Sequence, residues 1–231
     1  MRSPLNKRLF RELRGEFGKY LVIFILMTLT IGMVSGFLVA DGSMIQAYEE
    51  SFEKYSIENG HFRTEKKMNN AQIQDIEDLG IKLYENYYVE EALTNGSTMR
   101  IFKNRDEVNK VCLMKGTMPE KPGEIGIDRM YADNNDLSVG DEIESGGHTW
   151  KITGLVALSD YSALFSNNND SMFDSVKFGV SVVCPEEFDS YKADQLNYSY
   201  AWKYNTEPKN EKAEKDISED LMEDVAKEVT L

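Results

Sequence analysis

Histidine and cysteine are scarce in this sequence, two of each among 231 residues, and their scarcity removes most metal and nucleophile chemistry. His61 and His148 have no second histidine or cysteine at ligand spacing, so a zinc-type site is not encoded. Cys112 and Cys184 fall in strand-like segments and allow one disulfide if that region lies outside the cell, without requiring it. There is no G-x-S-x-G elbow and no G-x-x-x-x-G-K-[ST] loop, which excludes a hydrolase of that type and P-loop nucleotide binding. "NNND" at 167–170, with Asp174 nearby, offers oxygens to calcium but lacks the glycine and terminal glutamate of an EF-hand loop. No acid, base, nucleophile and orienter group together, so neither an enzyme activity nor a cofactor is expected.

Positive charge is also missing where nucleic acid would need it. After Ala40 the chain holds 20 basic and 38 acidic side chains, with no basic stripe to neutralise phosphates. That balance reads first as a solubilising, charged aqueous face.

Charge is absent altogether from residues 20–40, "YLVIFILMTLTIGMVSGFLVA". Twenty-one residues at the helical rise reach roughly 31 Å, about the hydrocarbon thickness of a bilayer. A secretory apolar region is shorter and ends in a small-x-small cleavage site, whereas Leu38 stands two residues before Ala40. The segment therefore reads as a retained transmembrane helix. Residues 1–19 carry six basic side chains against two acids, which predicts a cytoplasmic N-terminus and an extracytoplasmic chain after about residue 41.

Leu5, Leu9, Leu13 and Phe17 recur at helical spacing between basic residues. The 1–19 leader thus reads as a short amphipathic helix on the inner membrane surface, anchored by Lys7, Arg8, Arg11, Arg14 and Lys19. The alternative is a positive extension of the membrane helix itself. Within the span Thr28, Gly32, Gly36 and Ala40 repeat every fourth residue, a small-residue row suited to packing against another helix.

Beyond the span, Met44, Tyr48, Phe52 and Tyr55 continue a helical pattern, and residues 41–60 read as a helical stalk ending near Asn59-Gly60. "HFRTEKK" reads as a strand, and "NNAQIQDIEDLG" as a short helix capped at Asn70 or its neighbour and stopped by Gly80. From Ile81 the period changes to two. "IKLYENYYVEEA", "STMRIFK", "NKVCLMKG", "DEIES", "HTWKITGLVAL", "VKFGVSVVC" and "LNYSYAWKY" read as strands, "PEKPGE" as a turn and "RMYADNND" as a short helix. The Asn, Asp and Ser-rich stretch at 158–174 is long for a bare connection and reads as a surface loop with a function of its own. In the tail, Ile217, Leu221, Val225 and Val229 mark the apolar stripe of a docked amphipathic helix. The expected fold class is α+β: one N-terminal transmembrane helix followed by a mixed α/β domain over residues 61–231.

Two longer stretches resemble a known family. "NKRLFRELRGEFGKYLVIFILMTLTIGMVSGFLVADGSM" is similar to the start of bacterial ABC transporter permeases of the FtsX-like family. "MKGTMPEKPGEIGIDRMYADNNDLSVGDEI", followed by "WKITGLVALSDYSALF", resembles that family's MacB-like extracytoplasmic core domain. Gly116, Pro119, Pro122-Gly123-Glu124, Arg129, Val139-Gly140-Asp141 and Gly154 carry the likeness.

The resemblance implies a permease subunit of an ATP-driven export or mechanotransmission complex in the cell membrane. A separate cytoplasmic ABC ATPase subunit would hydrolyse ATP, and its cycle would move the outer domain. The family's later spans are missing here. The resemblance therefore implies either an N-terminal fragment, which the uncapped end at Leu231 favours, or further permease helices from another chain or a second copy. The competing expectation is a single-span, membrane-anchored domain that binds or senses something outside.

Overall fold

Proline is absent between Pro4 and Pro119, and the first long element exploits that freedom. In a computed structural model, which describes residues 14–167 and 170–230, α1 runs unbroken over Phe17–Tyr55, 39 residues. Most of the leader, including Lys7, Arg8 and Arg11, lies outside the described residues. Thr28 and Thr30 turn their hydroxyls back onto the carbonyls of Phe24 and Leu26, each at 2.8 Å, so the apolar segment presents no free hydroxyl donor there. Among the described residues this is the one helix long and apolar enough to cross a membrane. It ends at Tyr55, short of the expected Asn59-Gly60. Ser56 enters the left-handed region at φ 50°, which an L-residue cannot propagate as helix.

The chain divides into two compact units, residues 1–52 and 53–231. The second holds two sheets. The smaller is antiparallel, with β1 (Gly60–Thr64) and β2 (Ile81–Glu85) flanking β10 (Tyr198–Tyr204). Helix α2 (Asn70–Glu77) packs on β2, and α5 (Glu211–Thr230) packs on α2. The α2 cap is Asn69, whose side-chain oxygen accepts from the backbone of Ala71 and Gln72 while Gln72 returns a bond to Asn69.

On α5 only part of the expected stripe holds. Leu221 and Val225 are buried, but Ile217 is exposed, and the side chain of Val229 lies outside the described residues. Four-residue steps drift by about 40° per step on a 3.6-residue helix, so a long row of them leaves the buried arc.

The larger sheet has seven strands. Its order is β3 (Tyr88–Ala92), β4 (Thr98–Lys103), β9 (Phe178–Val183), β6 (Glu124–Asp128), β8 (His148–Leu158) and β5 (Val111–Gly116), with β7 (Glu142–Ser145) also on β8. β4 with β9 and β6 with β8 are parallel, and the other pairs are antiparallel. Helix α3 (Arg129–Asn134) packs on β6, β8 and β9 and buries Tyr131 completely. A single turn, α4 (Pro185–Phe188), follows β9. The chain is therefore α+β: an apolar N-terminal helix, then a mixed α/β domain.

Two strand assignments change. "IKLYENYYVEEA" is not one strand but two in different sheets, β2 and β3, broken where Asn86 and Tyr87 are buried between them. The central β6 was hidden between an expected turn and an expected helix. Both of its faces are covered, so Ile125, Gly126, Ile127 and Asp128 are buried in succession and show no alternation.

The cysteines are free, and the permitted disulfide does not form. Cys112 on β5 and Cys184, just past β9, are separated by three inter-strand spacings, at least about 14 Å, well beyond disulfide reach.

Candidate functional site

The crossing from β2 to β3 places side chains of both sheets around one hollow. Arg63 on β1 stands opposite Ser199 on β10, and His61 is the next outward-facing residue of that strand. From the larger sheet come Tyr88 on β3 and its register partner Phe102 on β4, with rings 5.5 Å apart. The loop after β8 adds Asp160, Tyr161 and Phe165, which gives part of the long polar stretch a structural place. The cleft encloses about 150 Å³.

Its electrostatics follow from which charges are already engaged. Arg100 is buried and committed through all three guanidinium nitrogens. It donates to Glu90 at 2.6 and 2.9 Å, to the Tyr161 hydroxyl at 2.7 Å and to the Ser166 carbonyl at 2.8 Å. Burial pushes the Tyr161 hydroxyl up to about 12, against the opposing pull of Arg100. Arg105 and Asp160 form a two-pronged ion pair at 2.7 and 2.8 Å with side chains 7% and 5% exposed, and Arg105 also donates to the Asn86 amide oxygen at 2.8 Å. Among the described residues the Arg105 Nε has no partner. His61 contacts Glu58 at 2.6 Å; that hydrogen bond, opposed by burial and aided by the Glu58 charge, holds the imidazole above its ordinary value. Glu58 in turn accepts from the Asn109 amide, and Asn109 accepts from the Glu58 backbone N–H at 2.9 Å.

Arg63 differs from these. Among the described residues its guanidinium makes one hydrogen bond, to the Tyr88 hydroxyl at 2.9 Å, and no ion pair. Arg63 lines the cleft with its remaining donors unbonded among the described residues.

A second hollow of about 340 Å³ shares Asn86 with the first, and the Arg105–Asp160 pair forms the partition: Asp160 lines one side, Arg105 the other. Its walls are Tyr87, Tyr191, Tyr198, Phe188 and Leu196. Its lysines are paired, Lys67 with Glu85 at 3.0 Å and Lys103 with Asp189 at 2.9 Å. Burial first, then the hydrogen bond with Tyr200, raises Tyr87, one of the three tyrosines on this hollow's aromatic wall.

No protein-family model matches the chain, and no curated protein matches it. Solved structures give distant likenesses. The periplasmic region of MacB from Actinobacillus actinomycetemcomitans is 10% identical, with a TM-score of 0.37, over 72% of this chain and 83% of that one. The extracellular domain of the ABC-type transporter YknZ from Gram-positive bacteria is 9% identical, with a TM-score of 0.37, over 68% of this chain and 86% of that one. Neither assigns this chain a family.

The expected helix-packing residues Thr28, Gly32, Gly36 and Ala40 all lie exposed on α1, and a Cβ built on Gly32 or Gly36 would meet nothing within 4 Å. Of the basic anchors, Arg14 is exposed and Lys19 pairs with Glu16 at 2.9 Å.

Two of the glycines that carry the sequence resemblance stand where a side chain would meet backbone. Gly116 and Gly154 are register partners where β5 meets β8. A Cβ on Gly116, at φ 82°, would sit 2.2 Å from the Thr153 carbonyl oxygen, and one on Gly154 would sit 2.5 Å from that of Thr117. Glu124 closes the turn before β6 by accepting from the backbone of Glu120 and Lys121.

Of the cleft, the sequence marked only His61, as one of two histidines, and the 158–174 loop that holds Asp160, Tyr161 and Phe165; Arg63, Tyr88, Arg100 and Phe102 carried no signal. The cleft residues come from β1, β3, β4, β10 and the loop after β8, and no local spacing ties them together.

Proposed function

We propose that the chain is a permease subunit of an ATP-driven ABC export or mechanotransmission complex, with residues 1–19 cytoplasmic, 20–40 in the membrane and the chain from about 41 outside. The sequence resemblance to FtsX-like permeases supports this reading. The observation that carries it is the grip on the end of α1. The carbonyls of Tyr55 and Ser56 accept from the backbone of Lys110 and Asn109 at 2.8 and 3.0 Å, and Lys110 leads directly into β5. A displacement of the Tyr55 end would pull on the strand that edges the larger sheet. A helix with one exposed row of small residues also suits a lateral neighbour, either further permease helices or a second copy. Lys7, Arg8, Arg11, Arg14 and Lys19 would meet anionic headgroups and lie beside the ATPase.

The test is capture from native membranes. The tagged chain, solubilised after trapping with ATP and vanadate, should bring down an ABC ATPase. Absence of any ABC ATPase under trapping conditions sinks the reading. Replacing Gly32 and Gly36 with leucine should reduce crosslinking to neighbouring helices while leaving membrane insertion intact. Unchanged crosslinking removes that role from the row.

A second reading, a membrane-anchored binding or sensing domain, is favoured by the cleft around Arg63.

A further inference from the structure

After Ala40 the chain carries nearly two acidic side chains for each basic one, yet the cleft between the sheets reverses that balance. Two guanidiniums, Arg63 and Arg100, and the His61 imidazole line it with one acid, Asp160. Glu58 answers His61, Glu90 answers Arg100, and Asp160 is held by Arg105. Arg63 is left as the one lining cation without a carboxylate among the described residues. A cleft with a single unanswered positive charge matches a ligand with a single negative one.

The neighbouring groups narrow the chemistry. Two guanidiniums approach the Tyr88 ring, the Arg100 carbon 4.5 Å and the Arg63 carbon 5.9 Å from its centroid, and Arg63 is also tied to the Tyr88 hydroxyl. Ser199, opposite Arg63 in the register, offers a hydroxyl beside the fork. Across the hollow Phe102 and Phe165 provide apolar walls, and Phe165 is extended outward by Phe173, with ring centroids 6.0 Å apart. A planar guanidinium with four of its five N–H donors unbonded among the described residues can meet a carboxylate edge to edge. At about 150 Å³ the hollow takes a compact molecule rather than a polymer segment.

We propose that this cleft binds a small monocarboxylate with an apolar or aromatic body, its carboxylate on the Arg63 guanidinium and its body against Phe102 and Phe165. The inference concerns the cleft alone and does not rest on the permease reading.

Titration calorimetry on the full chain in detergent micelles tests it, with phenylacetate as probe and phenylacetamide as its uncharged counterpart. Phenylacetate should bind, and phenylacetamide should bind about ten- to hundredfold more weakly, the value of a charge-assisted hydrogen-bonded pair. Arg63→Gln should lose about the same factor for phenylacetate and nothing for phenylacetamide. Arg63 is exposed, so the variant keeps the fold, which near-ultraviolet circular dichroism checks. Lys151→Gln removes an equal charge at an exposed position of β8 and should leave binding unchanged. Equal affinity for acid and amide, a wild-type response from Arg63→Gln, or an equal loss in Lys151→Gln would each overturn the proposal. Inorganic phosphate binding as tightly as phenylacetate would overturn the carboxylate assignment. Failure here leaves ATPase capture untouched, and failure of that capture leaves this binding untouched, so the two are separable.

Discussion

Asp160→Ala is the sharpest perturbation of the partition between the two hollows. The Asp160 carboxylate is 5% exposed and holds both terminal nitrogens of Arg105, itself 7% exposed. Truncating it leaves a buried guanidinium with the Asn86 amide as its sole remaining hydrogen-bond acceptor among the described residues, since Arg105 Nε already lacks a partner. Breaking a buried pair from one side costs about 3–5 kcal/mol, because the surviving charge stays uncompensated. For a domain of this size each kcal/mol moves the midpoint by about 2–4 °C, so thermal unfolding should fall by about 6–20 °C.

The assay is intrinsic fluorescence of the full chain in micelles. Both tryptophans report from buried positions, Trp150 in the larger sheet and Trp202 in the smaller. The double variant Arg105→Met with Asp160→Leu removes both charges while keeping similar bulk, and should recover most of the loss. A loss below about 1 kcal/mol for Asp160→Ala would refute the claim that this charge is truly desolvated. A double variant no more stable than the single one would show that packing rather than charge was lost.

Other perturbations test separate parts of the fold. Gly116→Ala and Gly154→Ala each drive a Cβ into a backbone oxygen at 2.2 and 2.5 Å, and each should destabilise by more than about 2 kcal/mol in the same assay. An unchanged midpoint for Gly154→Ala would show that β5 and β8 do not approach that closely. His61 titrates above its ordinary value of 6.5 because the imidazolium is favoured in the folded state, first by its bond to Glu58. The stability it contributes is fully present below 6.5 and is lost as pH rises through the raised folded value. With the side chain 40% exposed, the effect is no more than several tenths of a kcal/mol, and His61→Gln should flatten the midpoint-versus-pH curve above 6.5. A slope retained in that variant assigns the titration elsewhere. Native labelling with a maleimide should add one adduct, at half-buried Cys112, and unfolding should add a second at buried Cys184. Mass evidence of an intramolecular disulfide would contradict the strand order.

What the sequence disclosed and what it concealed divide along one physical line. The apolar helix through residues 20–40, the Asn69 cap, the Gly80 stop and most of the strands are local events, each set by a period or a turn residue nearby in sequence. The β6 strand escaped because burial on both faces erases the period that marks a strand, and Gly126 within it reads as a break. Ile217 was misplaced because a fixed four-residue step only approximates the helix repeat. The assembly of the cleft was hidden for a different reason, although the 158–174 loop that lines part of it was marked. Arg105 and Asp160 lie 55 residues apart, Arg100 and Tyr161 lie 61 apart, and Arg63 meets Tyr88 only because the chain changes sheets at Asn86. Composition points weakly the other way, since a strongly acidic domain suggests no anion site. The overall charge is a sum over the surface, whereas recognition depends on which cation is left unanswered in one concave place. Arg63 is that cation, and only the register of β1 against β10 and the crossing into β3 put it there.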